Sequence, residues 1–439
     1  MDVKESIKWT LLRFISCKRK QYPMSYKLPI DSNLNDLEYF QFFEHTFEIE
    51  KFAHSEGVLV MDNFEERWID LSMGGLGYNH PTIVEAARLQ IQTLPLSSRM
   101  FFSSHLAKFI KKLVSVLPQS LNVAYPCNSP AEAVEGAIKL AKGFLPKRPQ
   151  IIAFENGYHG NTWGTMSVCG IARVRNTINH FPLQVNFLSF GNLLQLEEYD
   201  FSQSSCVILE PISAMLTTAI LPNNNYLERL RKKCTETQTL LIINESLIGI
   251  GNCGAWTWCE MTGINPDILI LGNALGAGLM PAGVYIARRI INDKVYGKAH
   301  PALHGGTTAG NPLMCSIGEA LIEVIKRDNL ILKTNLRSKI IQTFINNLTG
   351  FNIPTFHIGI IAVLQFPNKD IVNGVINDCQ QKNILLTPFP GSESILFINP
   401  PLLISDIALK YSLMCLYNSI QNNFKKYLYP IDYETLRNH

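Results

Sequence analysis

Short runs of apolar, mostly β-branched residues recur along the central part of the chain and predict the strands of a buried sheet. The runs occupy residues 151–154, 185–190, 206–209, 239–243, 268–271 and 283–287. Helical patterns lie between them, as in residues 131–142, where Val134, Ile138 and Ala141 fall on one face. Continuous apolar strands that alternate with helices are typical of a mainly parallel sheet covered on both faces, so we predict an α/β architecture.

The pattern changes after about residue 327. Short apolar strands at 360–366 and 395–398 mix with a longer helical stretch at 405–424. This mixture predicts a second, smaller α+β domain in the C-terminal part of the chain.

Bulk composition then narrows the class of protein. The chain has 439 residues, 46 % of them apolar, and 39 basic against 36 acidic residues give a net charge of +3. So weak a charge does not indicate a nucleic-acid partner, and no apolar run is long enough to cross a bilayer. Ten cysteines are scattered without the close pairs that bind zinc. We expect a cytoplasmic protein with reduced thiols, whose partners are small molecules or proteins rather than nucleic acid or membrane.

A collinear series of short motifs carries the functional information. It comprises Trp68-Ile69-Asp70, residues 77–81, residues 128–139 (NSPAEAVEGAIK), Tyr158-His159-Gly160 with Thr162, Glu210-Pro211, Asn244-Glu245, residues 272–278 (GNALGAG) with Pro281, and residues 304–312 (HGGTTAGNP). From about residue 60 to residue 405, the series resembles class III pyridoxal-phosphate aminotransferases, the group that includes ornithine, acetylornithine and 4-aminobutyrate transaminases.

The resemblance implies a fold and a division of the chain. The fold is pyridoxal-phosphate transferase fold type I, with a large domain on a mainly parallel sheet of the seven-stranded type and a small α+β domain built from both chain ends. Residues 1–80 would be an N-terminal segment that contributes to the small domain. Residues 81–327 would form the large domain, and residues 328–439 the C-terminal small α+β domain.

Pyridoxal phosphate requires a lysine amine, a carboxylate beside its ring nitrogen and backbone donors at a helix start. By the resemblance, the lysine position is Asn273, whose amide cannot form an imine, and the aspartate position is Asn244, which carries no charge. Ser246 and Leu247 replace the valine and glutamine that usually follow the family's aspartate and glutamate. No lysine follows Asn273 before Lys294, and we interpret Lys294 and Lys298 as surface charges.

Two further positions depart from the family. Between Ser129 and Ala131, the glycine of the phosphate-binding turn is Pro130, which has no N–H. A charge-assisted hydrogen bond contributes about 1.5–3 kcal/mol, so this change alone predicts phosphate binding weaker by about ten-fold or more. The arginine that clamps a substrate carboxylate in many members corresponds to Phe397.

The resemblance marks eight positions as cofactor-binding: Ser129, Ala131, Tyr158, His159, Glu210, Asn244, Asn273 and Thr307. In the family the counterpart of Tyr158 stacks on the cofactor, and the counterpart of Thr307 reaches the phosphate of the neighbouring subunit. A structural interpretation stands beside this one, in which Tyr158 is a packed aromatic and Glu210 and Glu245 accept hydrogen bonds from loop backbone.

These losses predict a degenerate member of the family with no intact catalytic residue. We expect pyridoxal 5'-phosphate as the family's cofactor, predict that its covalent binding is absent, and regard its non-covalent binding as doubtful. The favoured hypothesis is a partner subunit, in a homodimer or in a heterodimer with an active class III aminotransferase, or a scaffold for a small-molecule ligand. A second hypothesis is a related enzyme with altered, non-imine chemistry; a third is an active aminotransferase whose lysine lies elsewhere.

Overall fold

The computed structural model describes residues 52–62, 67–98, 101, 103–177, 180–212, 224–297, 303–389 and 392–428. Within these residues the strands are β1 (Phe52–Glu56), β2 (Leu59–Asp62), β3 (Arg67–Asp70), β4 (Val123–Cys127), β5 (Gln150–Phe154), β6 (Gln184–Leu188), β7 (Ser204–Leu209), β8 (Leu240–Asn244), β9 (Ile268–Leu271), β10 (Gly283–Ala287), β11 (Thr355–Ile358), β12 (Ile361–Gln365), β13 (Ile384–Leu385), β14 (Thr387–Pro388) and β15 (Ile395–Ile398).

The described α-helices are α1 (Pro81–Thr93), α2 (Ser104–Val114), α3 (Pro130–Phe144), α4 (Trp163–Val168), α5 (Ala172–Thr177), α6 (Leu193–Glu198), α7 (Asn224–Glu236), α8 (Trp258–Thr262), α9 (Arg289–Val295), α10 (Pro312–Arg327), α11 (Leu330–Asn347), α12 (Lys369–Gln380) and α13 (Asp406–Leu428). Short 3-10 helices span Asn273–Gly276 and Thr349–Phe351.

The large domain is organised around a seven-stranded sheet with the order β4-β10-β9-β8-β7-β5-β6. β5 to β9 pair in parallel, whereas β10 is antiparallel to both β9 and β4. All six predicted apolar runs are strands of this sheet. The seventh strand, β4, was not predicted, because Tyr125 and Pro126 interrupt its apolar pattern. The prediction of a mainly parallel α/β sheet is confirmed.

Both faces of this sheet are covered, which explains the continuous apolar runs 206–209, 240–243 and 268–271 in its central strands. Ile152, Val207 and Leu241 face a core shared with α1, α2 and α10. Their strand neighbours Ile151 and Ile242 face the opposite core, which contains α3. Successive side chains of a strand point to opposite faces, so a strand between two helical layers needs apolar residues at both.

The small domain draws on both parts of the chain, as fold type I implies. β13 joins the sheet of β1, β2 and β3 by pairing in parallel with β3, so that Ile384 lies opposite Ile69. Ile69 and Leu71 belong to the same core as α12 and α13. A separate sheet has the order β11-β12-β15-β14. Residues 1–51 of the predicted N-terminal segment lie outside the described residues.

Two findings bear on the expectations from composition. The nine cysteines in the described ranges are all buried, and none of them forms a disulfide. Among the described helices, none has both the length and the apolar character needed to cross a membrane.

Candidate functional site

The loops that follow β4, β5, β8 and β9 meet at one edge of the seven-stranded sheet, where ligands bind in many α/β proteins. A Cβ atom at Gly272, after β9, would lie 2.7 Å from the Ser246 Cβ and 2.8 Å from the Pro130 Cγ. A Cβ atom at Gly160, after β5, would lie 2.7 Å from the Ala131 Cβ. These close approaches bring together the start of α3, the Tyr158 segment and the ends of β8 and β9.

Asn244 is the last residue of β8 and is completely buried. Its Nδ2 lies 3.2 Å from Nδ1 of His159, and its Oδ1 accepts a hydrogen bond of 3.2 Å from the backbone N–H of Ser246. Because Oδ1 faces a donor, the amide N–H faces His159, whose Nδ1 must then accept. Both ends of the side chain are therefore engaged by the protein.

His159 is 2 % exposed, and burial lowers its pKa to about 3, so the ring is neutral at physiological pH. An acceptor at Nδ1 leaves the ring proton on Nε2, which has no hydrogen-bond partner among the described residues. The pair of His159 and Asn244 is thus uncharged at the position that the resemblance assigns to the family's aspartate.

Asn273 begins the 3-10 helix that follows β9, and its side chain is exposed. The loop that contains Asn273 packs against the rest of the protein, because Ala274 closely approaches the backbone of Gly75 and of Gly249. The next lysine, Lys294, lies over the Phe144 ring, 4.1 Å from its centroid, at the end of α3 and thus about 20 Å along that helix from Pro130. Lys298 lies outside the described residues.

The start of α3 is well capped as a helix, but it offers few backbone donors for binding a phosphate. Pro130 occupies the first helical position, where its fixed φ suits the fold. The Ser129 hydroxyl accepts a hydrogen bond of 3.1 Å from the backbone N–H of Glu132. One backbone donor is missing and another is already bound, so few remain for a phosphate at this helix start.

Two retained carboxylates, Glu210 and Glu245, have contacts that serve the fold. Glu210 is buried and accepts from the N–H of Ile212 at 3.1 Å. Glu245 accepts from Trp258 N–H at 2.6 Å and from Cys259 N–H at 2.8 Å, at the start of α8. These contacts fit the structural interpretation of both carboxylates. Tyr158 is half-buried, and burial raises its pKa.

Phe397 is part of the core rather than of an open pocket. It lies in β15, is 5 % exposed, and packs edge-on against Phe389 with ring centroids 5.3 Å apart. At the position that the resemblance assigns to the family's arginine, the chain has a well-packed hydrophobic contact. Sequence reasoning predicted a lost clamp at Phe397, which stays a prediction, and did not predict its packing in the core.

Thr307 is exposed on a turn between β10 and α10. The turn is joined to the start of α3 by Glu132, whose Oε1 accepts from Gly306 N–H at 2.6 Å. Sequence reasoning did not single out Glu132. The pattern of Ser129 followed three residues later by a glutamate, typical of a capping box, was the available signal.

The residues present do not fit pyridoxal phosphate in the way the chemistry of that cofactor requires. Asn273 offers no amine, the amide of Asn244 is engaged on both sides and uncharged, and Pro130 lacks the phosphate donor.

This fold and this arrangement of motifs define a class III aminotransferase scaffold. The model of the aminotransferase class-III family matches residues 45–419, so the chain belongs to that family. It is 33 % identical over 290 residues to ornithine aminotransferase 1 of Staphylococcus aureus (strain COL). This alignment covers 64 % of this chain and 72 % of that protein. It is also 33 % identical over 279 residues to acetylornithine aminotransferase of Methanopyrus kandleri, covering 63 % of this chain and 70 % of the relative.

Solved structures agree on the fold. The ornithine aminotransferase of Toxoplasma gondii ME49 aligns with a TM-score of 0.79 at 20 % identity, over 90 % of this chain and 95 % of that one. The adenosylmethionine-8-amino-7-oxononanoate aminotransferase of Methanocaldococcus jannaschii DSM 2661 aligns with a TM-score of 0.79 at 22 % identity, over 88 % and 98 %. Fold type I is thereby confirmed, and pyridoxal phosphate is the cofactor expected for the family.

Proposed function

We propose that this chain is a catalytically inactive member of the class III aminotransferase family that acts by associating with another subunit. The observation that carries the proposal is Asn273, an exposed amide at the start of the loop after β9. An amide nitrogen is not nucleophilic, so it cannot take the place of the family's lysine. Without that amine the cofactor has neither a covalent attachment nor the proton-transferring group beside it.

Two further departures support inactivity. The neutral pair of Asn244 and His159 cannot stabilise a protonated ring nitrogen as a carboxylate does. Pro130 removes a phosphate donor. The three changes act on three different parts of the same cofactor, so restoring any one of them leaves the other two defects in place.

The association itself is supported by the surface beside Thr307. Leu94, Leu96, Phe101 and Leu303 are large, apolar and exposed. The segment between α1 and α2 contacts the start of α10, the helix that follows the Thr307 turn. The contact is a hydrogen bond of 3.2 Å from the N–H of Leu313 to the carbonyl of Pro95. Leu94 and Phe101 line one surface depression, and exposed apolar patches are typical of a protein interface. We propose a second copy of this chain or an active class III relative as the occupant, within the cytoplasm.

A related enzyme with altered, non-imine chemistry is the second candidate. It is favoured by the retained, half-buried Tyr158, whose counterpart in the family stacks on the cofactor ring. In that case the pocket would hold the cofactor or another small molecule without a covalent bond. Absorbance between about 330 and 420 nm after gel filtration separates the two candidates, because a non-covalently held pyridine cofactor absorbs there and an empty pocket does not.

The test of inactivity is reduction with borohydride after incubation with pyridoxal phosphate, followed by intact-mass analysis and peptide mapping. We expect no stoichiometric phosphopyridoxyl group on this chain, whereas a class III relative treated in parallel gains one. The single variant Asn273→Lys should remain at least about 100-fold less active than the relative, because the uncharged Asn244 and the lost phosphate donor persist. The triple variant Asn273→Lys, Asn244→Asp, Pro130→Gly should take up the group. A stoichiometric adduct on one lysine of the unaltered protein would contradict the proposal.

The partner role is tested by light scattering and by co-expression with a class III relative. We expect a dimer, and a heterodimer in which Thr307→Ala in this chain weakens cofactor retention by the partner. Thr308→Ala, next to it on the same exposed turn, is the matched control. A stable monomer that binds no relative would refute the partner role. The remaining hypothesis would then be a scaffold for a small-molecule ligand.

A further inference from the structure

The Glu132 side chain links three segments of the large domain. Its Oε2 accepts from the backbone N–H of Asn128 at 2.6 Å, and its Oε1 accepts from the backbone N–H of Gly306 at 2.6 Å. Asn128 follows β4, Glu132 lies in the first turn of α3, and Gly306 immediately precedes Thr307. Hydrogen bonds from backbone N–H to a carboxylate are stronger than neutral ones, so this one side chain holds the Thr307 turn against the helix start.

The geometry departs from an ordinary helix cap. In a capping box, the glutamate at the third helical position returns to the N–H of the capping residue. Here Ser129 caps the helix through the Glu132 N–H, while the Glu132 carboxylate turns outward to Asn128 and Gly306. Its negative charge is also favoured at the N-terminus of α3 by the helix dipole. Part of the acceptor capacity of the helix cap is therefore used to hold a distant loop.

Other contacts hold the turn but leave Thr307 outside. The His304 ring is buried beside Tyr125 and Tyr285, with ring centroids 5.6 and 5.8 Å away. Lys139 Nζ donates to the carbonyl of Leu303 at 2.9 Å. Thr307 is exposed in this arrangement. The backbone of the turn is anchored to this chain, and its threonine side chain faces away from the core.

We propose that Glu132 is a positioning residue, which fixes the Thr307 turn for use by a neighbouring subunit. The inference rests on the proposed partner function. It accounts for the coexistence of Pro130, which damages this chain's own phosphate-binding turn, with an intact cap at Ser129 and an intact carboxylate two residues further along, at Glu132. The start of α3 has lost a donor for a phosphate but retains the acceptor that orients the turn.

The first test measures amide hydrogen exchange in the full chain. Glu132→Ala should speed exchange at Gly306 by about ten-fold or more, because the charge-assisted hydrogen bond is lost. Glu132→Gln, which keeps one acceptor oxygen, should give an intermediate effect, and it replaces the alanine variant if that variant does not fold. Glu135→Ala is the matched control: its carboxylate lies on the same helix but accepts from the Thr162 hydroxyl and the Thr165 N–H. Unchanged exchange at Gly306 in the Glu132 variants would overturn the proposal.

The second test uses the dimer with a class III relative and measures cofactor retention by the relative. Glu132→Ala should weaken retention as Thr307→Ala does, and the double variant should be no weaker than Thr307→Ala alone, because both act through one group. Additive effects, or an effect of Thr307→Ala without one of Glu132→Ala, would overturn the proposal. If Thr307→Ala itself has no effect, the partner function fails, and exchange at Gly306 still decides whether Glu132 fixes the turn.

Discussion

The pocket of this chain and the Thr307 turn both contact the start of α3, and they differ in what their side chains contact. At the positions that the resemblance assigns to the family's site, Asn244 is bound by His159 and Ser246, and Phe397 packs on Phe389 in the core. In the turn, the backbone is held by Glu132, and Thr307 is exposed. Asn244 and Phe397 are satisfied inside the protein, whereas the turn presents the Thr307 side chain to the surroundings.

This difference indicates that the departures from the family are consistent with the fold and not simply tolerated defects. Buried polar groups need partners, and buried apolar groups need close packing. Asn244 and Phe397 meet these requirements without a cofactor. It follows that returning family residues to the pocket should cost stability, which makes the comparison testable.

The largest effect is expected from Phe397→Arg, which restores the family's side chain. Phe397 is 5 % exposed and packs against Phe389, so the variant loses this contact and buries a charge without a partner. We expect a loss of about 4 kcal/mol in the free energy of unfolding, measured with urea. Phe397→Leu, which stays apolar, should lose about 1 kcal/mol. An arginine variant as stable as the original would mean that the pocket remained open at this position.

The sequence predicted the framework well because continuous apolar runs leave little choice for a strand between two helical layers. Residues 131–142 and 405–424 were predicted as helices, and the structure has Pro130–Phe144 and Asp406–Leu428. The assignment of Asn273 and Asn244 to the family's lysine and aspartate positions depends on the order of motifs along the chain and stays a prediction.

The contacts of the site could not be predicted in the same way. Glu132 and Gly306 are 174 residues apart, and no local sequence pattern predicts a hydrogen bond between residues so far apart in the chain. The same applies to Phe397, whose role depends on which aromatic ring lies beside it. Only the strand β4 was missed among the elements of the large sheet, because a proline and a half-buried tyrosine obscured it.

A second test concerns Glu245, a residue that the pocket retains. Burial raises its pKa from 4.5 to about 7, although two backbone N–H groups act in the opposite direction. The folded protein therefore binds this proton more tightly than the unfolded chain does between these pH values, and stability from this group falls as pH rises through that window. The full difference is about 3 kcal/mol.

Glu245→Gln removes this titration, and urea unfolding at a series of pH values measures its effect. From pH 4.5 to pH 8 the variant should gain about 3 kcal/mol relative to the original, because only the original comes to bury a carboxylate. Other titrating groups cancel in the difference between the two proteins. If the difference in unfolding free energy between the two proteins stayed constant with pH, Glu245 would ionise equally in the folded and unfolded states. Burial would then not raise its pKa.

The smallest effect is expected from Asn244→Asp, which brings back the family's carboxylate but leaves the core contacts in place. The new oxygen would face Nδ1 of His159, so the ring must move its proton from Nε2 to Nδ1 to donate. An adjacent negative charge also favours the protonated ring, so the pKa of His159 should rise from about 3.

The buried charge should cost about 2 kcal/mol in the free energy of unfolding at pH 8, since it replaces a neutral amide that has partners on both sides. Nitrogen-15 spectra of the histidine ring report the tautomer and its titration directly. In the original protein, Nε2 should carry the proton and no titration of His159 should occur between pH 5 and 8. If the aspartate variant kept the same tautomer and the same stability, Asn244 would not be matched to His159. The pocket and the turn would then no longer differ in how far their residues are satisfied by the fold, because Asn244 would be one acceptable residue among several at the end of β8.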